Sequence, residues 1–134
     1  MTAGIYASRI GMKTLIVERV SPGGRAVEAP IVENFPGFPE AISGAELVER
    51  MIKQAEKFGA EIRYPEGVLD LVLDDRPKIT ATRNNRYESI GIVISTGTQR
   101  KKLSVPGETM FLGEGSPTAP SATGRCSKAR LQLW

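Results

Sequence analysis

The sequence predicts an α/β fold, and three observations carry that prediction. "MTAGIYASRIG" runs into "KTLIVE", a short helix stepping directly into a compact apolar strand. "SGAELVERMIKQAEKFG" then has one clear apolar helical face, and from Glu61 to Ser95 short strand patterns dominate. Helices and strands succeeding one another in this way are the pattern of an α/β fold.

The first helix should end near Gly11, because glycine after the last apolar position is a common helix stop. "KTLIVE" reads as a buried strand closed by an acid at Glu18. "SPGGRAVEAPIVENFPGFPEAISG" is rich in Gly and Pro yet too apolar for a flexible linker, so an ordered loop is expected. In the long helix, Ser43 and Glu46 have capping-box spacing, so each can satisfy a free backbone N–H of the first turn. Leu47, Val48, Met51, Ile52, Ala55 and Phe58 fall on one face, and Gly59 can end the helix in the left-handed conformation. Strands are expected in "EIRY", "VLDLVLD", "KITATR" and "RYESIGIVIS", with Asn84-Asn85 turning the last pair. Leu69, Leu71 and Leu73 alternate with Asp70, Val72 and Asp74, the pattern of a strand with one buried face. After Leu112 periodicity vanishes.

Composition narrows the chemistry. With 134 residues there is room for one domain or a piece of a larger one. Histidine is absent, which removes the usual general base and the commonest zinc ligand, and no metal site is expected. One cysteine can form neither an internal disulfide nor a C-x-x-C pair. The net charge is +3, but setting aside Arg125, Lys128, Arg130 and Glu114 of the terminal segment leaves fifteen basic and fourteen acidic residues. That near-neutral body gives no electrostatic case for nucleic acid. No apolar run approaches membrane-spanning length and no signal peptide opens the chain, so no membrane partner and a cytoplasmic location are expected.

Three stretches can carry function. Glu18 ends a strand and precedes Gly23-Gly24; in a dinucleotide fold such a carboxylate accepts hydrogen bonds from ribose hydroxyls, and the glycines admit a cofactor close to the backbone. A surface glutamate before a turn fits the same residues. "ISTGTQRKKL" places Ser95, Thr96 and Gly97 at the carboxyl end of an apolar strand, where open α/β sheets bind ligands, or merely leads a strand into a loop. Arg100, Lys101 and Lys102 read as a solvated face. "VENFPGFPE" is a rigid loop that can present Asn34 and Phe35 to a planar ligand or serve only as a turn.

Together these stretches resemble the low-molecular-weight thioredoxin reductases. "AGIYASRIGMKTLIVE", "PGGR", "VENFPGFPEAISGAELVERMIKQAEKFGAEI", "ISTGTQRKKLSVPGE" and "FLGEG" match in family order, from Met1 to about Gly115. The resemblance implies a partial Rossmann-like FAD-binding domain over residues 1–112, three-layered, with a parallel sheet plus a β-meander. It places Glu18 and Arg19 along the adenosine ribose, Gly23, Gly24 and Arg25 beside the pyrophosphate and flavin, Asn34 near the flavin, Val68 at the adenine, and Thr96 and Gly97 at the cofactor's far side. Arg25 stands where the family usually has Gln. The resemblance further implies reduced nicotinamide, NAD(P)H, as electron donor in the intact relatives, a thioredoxin-like disulfide as substrate, and a homodimer partner. The family's first strand and its G-x-G-x-x-G loop are not among these residues, and no catalytic residue is assigned within them.

The C-x-x-C expected soon after "FLG" is also missing, and the genetic code suggests why. Read from the third base of the Gly115 codon, the codons of residues 116–134 permit V-S-Y-C-A-V-C-D-G-P-L-F-K-G-K-V-A-V-V, which looks like the family's redox motif and following strand. In the other shifted frame cysteine needs a T in the second codon position, and no residue between Gly115 and Arg125 has one. Residues 113–134 are therefore expected to be an irregular tail translated out of frame, with Cys126 no redox cysteine. Two other readings fit the sequence: a fragment of a ferredoxin–NADP reductase-like flavoprotein without redox cysteines, and a non-catalytic FAD-binding or regulatory fragment.

Overall fold

A computed structural model describes residues 1–98 and has the expected α/β character. In chain order, α1 spans Thr2–Arg9, β1 Leu15–Val17, α2 Gly44–Lys57 and β2 Glu61–Arg63. β1 and β2 pair in parallel, with Leu15 opposite Glu61 and Val17 opposite Arg63. α2 lies in the connection between them, forming a β-α-β unit. β3 (Val68–Val72), β4 (Lys78–Thr82) and β5 (Arg86–Ser89) follow as an antiparallel meander. The tail beginning at Gly113 and the basic run at residues 100–102 lie outside the described residues. No described helix is long and apolar enough to cross a membrane.

Both helices stop where glycine permits. Gly11 (φ 84°) donates to the Ser8 carbonyl, and Met12 reaches back to Ala7. Gly59 (φ 86°) donates to Glu56, and Ala60 to Ala55. These paired bonds form the Schellman arrangement, which satisfies carbonyls the last helical turn would leave free. At the start of α2 only half of the expected capping box forms. Ser43 Oγ accepts from the Glu46 N–H at 3.1 Å, whereas the Glu46 carboxylate turns outward and takes the Arg50 guanidinium at 2.6 Å. The competing (i, i+4) ion pair draws the glutamate away from the cap.

The core lies between the helices and the parallel strands. Ile5, Ala55 and Ala60 are buried together, with Ile16, Met51, Phe58 and Ile62 packed around them. The face predicted for α2 is the one that packs: Leu47, Val48 and Ala55 are buried and Met51, Ile52 and Phe58 half-buried. The N-terminus of α2 also meets the loop after β1, where a 3₁₀ helix over Gly24–Glu28 lies against it. A Cβ at Gly44 would stand only 1.8 Å from the Ala26 carbonyl oxygen, and the Gly44 N–H donates to the Ala29 carbonyl at 2.9 Å. Glycine is the only residue that permits this approach.

Two strand expectations are corrected. Leu69 does not share a buried face with Leu71; it is 74% exposed. Val68 pairs with Thr82 and Asp70 with the adjacent Ala81, so Leu69 is the extra residue of a bulge and the alternation slips there. Leu73 is exposed as well, beyond the end of β3. The predicted long strand "RYESIGIVIS" ends at Ser89, and residues 91–95 have no regular structure. Ile90 and Val93 are 83% and 72% exposed. A strand needs a neighbour to receive its N–H and C=O groups, and among the described residues none pairs with this segment.

The Gly44 contact yields a stability prediction. Gly44→Ala should lower stability by about 1–3 kcal/mol, because the clash is with backbone and neither partner can rotate away. Gly59→Ala meets open space and only left-handed strain, about 1–2 kcal/mol. Urea unfolding followed by circular dichroism checks both; an unchanged midpoint for Gly44→Ala would refute the close approach.

Candidate functional site

Glu18 follows the last residue of β1, so it stands at the carboxyl end of a parallel strand. Its N–H donates to the Arg63 carbonyl at 2.9 Å, extending the ladder by one step. The half-buried carboxylate accepts the Val20 N–H through Oε1 at 3.1 Å, which aims the side chain across the turn. Oε2 has no partner among the described residues. The Glu18 carbonyl in turn accepts the Glu66 N–H at 2.8 Å. This bond sets the segment before β3 beside the end of β1. A Cβ at Gly67 would lie 3.3 Å from Cγ of Arg19, and Val68, the next residue, is exposed. Glu18, Arg19 and Val68, three of the predicted site residues, therefore share one edge of the molecule although fifty residues separate them.

The two glycines after β1 have different roles. Gly23 has φ 105°, and a Cβ there would meet Val27 and Val48 side chains at 2.6 Å. Packing against α2 alone explains its lack of a side chain. Gly24 has φ 52° with nothing within 4 Å of its Cβ position, so the space over it is open to a ligand. Arg25, in the 3₁₀ helix, is exposed.

Asn34 sits on a loop closed at its base by Val32 and Ile42, which exchange N–H···O=C bonds of 2.8 and 3.1 Å. Phe35 and Phe38 pack edge to face with centroids 5.9 Å apart, and the Arg50 guanidinium lies 5.4 Å from the Phe38 ring centre. These contacts give the ordered loop that its composition predicted. A shallow depression of about 520 Å³ runs along residues 33–39. Thr96 and Gly97 are exposed on the irregular segment, Gly97 with φ 69°, and do not end a strand as expected.

Sequence reasoning missed Glu66. Its Oε1 accepts from Thr82 Oγ1 at 2.6 Å, Asn85 Nδ2 at 2.8 Å and the Tyr87 hydroxyl at 2.9 Å, and its Oε2 lies 3.0 Å from the same hydroxyl. Donation from Thr82, then Asn85, holds the Glu66 carboxyl below its ordinary 4.5, against the opposing effect of burial; Tyr87 and the charge of Arg63 act in the same direction as the donors. The Tyr87 hydroxyl is pushed above 10 by burial first and by the Glu66 carboxylate second. The partners lie sixteen to twenty-one residues from Glu66. Only Asn85, as a turn residue, carried any signal. Among the described residues no cluster of carboxylates, cysteines or histidines could hold a metal.

No protein-family model matches the chain. Individual proteins do. A thioredoxin reductase of Bacillus subtilis is 40% identical over 116 residues, covering 86% of this chain and 36% of the relative. An NADPH-dependent thioredoxin reductase of Arabidopsis thaliana is 39% identical over 118 residues, 85% of this chain and 22% of that protein. Among solved structures, the thioredoxin reductase of Lactococcus lactis superposes with a TM-score of 0.74 at 35% identity, covering 82% of this chain and 36% of that one. That of T. acidophilum gives 0.74 at 33%, covering 85% and 37%. The chain is homologous to thioredoxin reductases and has the fold of part of their Rossmann-like domain. It spans about a third of the length of the bacterial relatives it matches.

The Glu66 cluster gives a titration test that needs no ligand. Glu66 is depressed, so its contribution to stability is present above about pH 4.5 and lost as pH falls through its lower folded value. Tyr87 is raised, so its contribution is present below pH 10 and lost as pH rises through the higher folded value. The absorbance titration lost in Tyr87→Phe should place the Tyr87 ionisation above 10, and Glu66→Gln should bring it back toward 10. A Tyr87 ionisation that Glu66→Gln leaves unmoved would show that the cluster does not form.

Proposed function

Proceeding from that homology, we propose that the chain is the FAD-binding portion of a thioredoxin-reductase-like flavoprotein oxidoreductase. The observation that carries the proposal is about 40% identity along most of the chain to proteins of that activity. The local chemistry fits. Glu18 keeps one carboxylate oxygen without a partner among the described residues at a strand's carboxyl end, which suits two ribose hydroxyls. Arg19 would flank the ribose and exposed Val68 would give the adenine an apolar contact. Gly24 leaves room for the pyrophosphate, with Arg25 near it; Gly23 serves first to let the loop pack on α2. Asn34 would offer its amide to the flavin from the braced loop. Thr96 and Gly97 would complete the far side.

When bound, FAD would supply the two-electron relay between a reduced nicotinamide and a disulfide in the intact relatives. The residues described here orient and enclose; they hold no reacting thiol. A dithiol that reduces a protein disulfide needs two cysteines, and the 134 residues contain one. We propose that residues 116–134 are the redox-motif region read out of frame, which the permitted V-S-Y-C-A-V-C-D supports. Sequencing the nucleotides on both sides of the Gly115 codon tests it. An in-frame continuation with no shifted C-x-x-C would end that proposal. The thioredoxin-like partner, the homodimer and NAD(P)H as donor come with the family reading.

A second reading has its own support in the single cysteine: a chain that binds the cofactor and turns nothing over. Both readings give the same first outcome for the purified chain, saturable but weak FAD binding, because no G-x-G-x-x-G occurs in it to cradle the pyrophosphate. Flavin fluorescence titration should show ADP competing. Glu18→Ala should weaken binding about 10- to 100-fold, the range for losing a charged hydrogen bond. Binding indifferent to ADP and to Glu18 would refute the site. No thioredoxin reduction is expected; turnover by this chain would contradict the assignment of the redox cysteines to a shifted frame.

A further inference from the structure

We propose that Glu66 is a positioning residue that locks the β-meander to the end of β1, so that Glu18–Arg19 and Gly67–Val68 present one fixed edge to an adenosine ligand. The ligand half of this inference rests on the FAD-binding reading above. The lock itself rests on geometry. The described chain has two halves, α1–β1–α2–β2 and the meander, and no strand of the meander packs extensively on an element of the first half. Glu66 spans the junction with both of its arms. Its main-chain N–H donates to the Glu18 carbonyl at 2.8 Å, in the first half. Its carboxylate gathers Thr82 from the end of β4, Asn85 from the hairpin turn and Tyr87 from β5.

The residue type matters at each contact. A carboxylate only accepts, and here all three partners donate, so every bond is charge-assisted. The hairpin is closed by the same threonine: the Thr82 N–H reaches the Asn85 carbonyl at 2.9 Å, and the Asn85 N–H reaches Thr82 Oγ1 at 3.0 Å. The Glu66 carboxylate binds the same Thr82 hydroxyl and the Asn85 side-chain amide, so the turn and the carboxylate hold each other in place. Arg19 lies against Gly67 at the same joint, so rotation of the meander would move Val68 relative to Glu18 and Arg19 together. Alanine at 66 keeps the backbone bond and removes the side-chain arm. Glutamine keeps the Oε1 acceptor but turns an N–H₂ toward Tyr87, which must then rotate to accept.

The test uses the full chain with Glu66→Ala and Glu66→Gln, reading amide exchange by NMR and affinity for ADP and FAD. Glu66→Ala should speed exchange at the residue 66, Thr82 and Asn85 amides at least tenfold while leaving the interior of α2 unchanged. Its Kd for ADP should rise about tenfold, and Glu66→Gln should recover part of both effects. Unchanged exchange at those amides would overturn the lock, and so would equal acceleration throughout α2, which would mark a general loss of stability. Selective acceleration with an unchanged ADP affinity would overturn the positioning role. If the unmutated chain takes neither ADP nor FAD, the flavoprotein reading falls instead, and the exchange data still decide whether the lock exists.

Discussion

The hydrogen bond from the Glu66 N–H to the Glu18 carbonyl is the joint on which the arrangement of the candidate site depends. It carries the parallel ladder one step beyond β2, and it turns the chain so that β3 begins beside the end of β1. Without it Glu18 would be an acid at a strand end and Val68 a valine in a separate meander. With it the two become neighbours on one edge. A single backbone bond contributes only about 0.5–1.5 kcal/mol to stability. Its importance here is therefore directional, and the three donors gathered by the Glu66 carboxylate reinforce that direction from the other side.

The second constraint is the close seat of the loop after β1 on the N-terminus of α2. Gly44 admits the Ala26 carbonyl, and Gly23 admits Val48 and Val27. This contact fixes where the 3₁₀ helix starts and hence where Gly24 faces open space. A glycine pair that composition alone would assign wholly to a ligand is divided by the structure into a packing position and an open one. Packing and the proposed ligand contact share the loop, and the positive φ of Gly24 strains any side chain placed there, so substitutions in the loop confound the two.

Much of the fold was legible from pattern. The α2 face, its Ser43 cap and both glycine stops follow from local rules about spacing and backbone conformation, and each appears in place. What pattern could not supply was non-local. The Leu69 bulge depends on the register against β4, which no run of alternating residues encodes. The strand expected through residues 91–95 required a partner strand, and its apolar residues could not reveal that none would be there among the described residues. Glu66 looked like one more glutamate because its donors lie up to twenty-one residues away. Of the predicted site residues, Glu18, Gly24 and Asn34 stood out by their places at a strand end, in a glycine pair and on a rigid loop, and Arg25 by family resemblance; the geometry leaves room for a ligand most directly at Glu18 and Gly24.

Similarity to a third of a reductase and the edge that Glu18, Arg19 and Val68 share lead to the central proposal, that this chain carries the nucleotide-holding part of a flavoprotein. Amide chemical-shift mapping of the ¹⁵N-labelled chain during addition of ADP tests that claim most directly. The account predicts saturable shifts confined to Glu18, Arg19, Gly24 and the Gly67–Val68 step, with α1 and the outer face of α2 silent. Shifts that never saturate, or that gather on the Phe35–Phe38 loop while Glu18 and Val68 stay still, would contradict it.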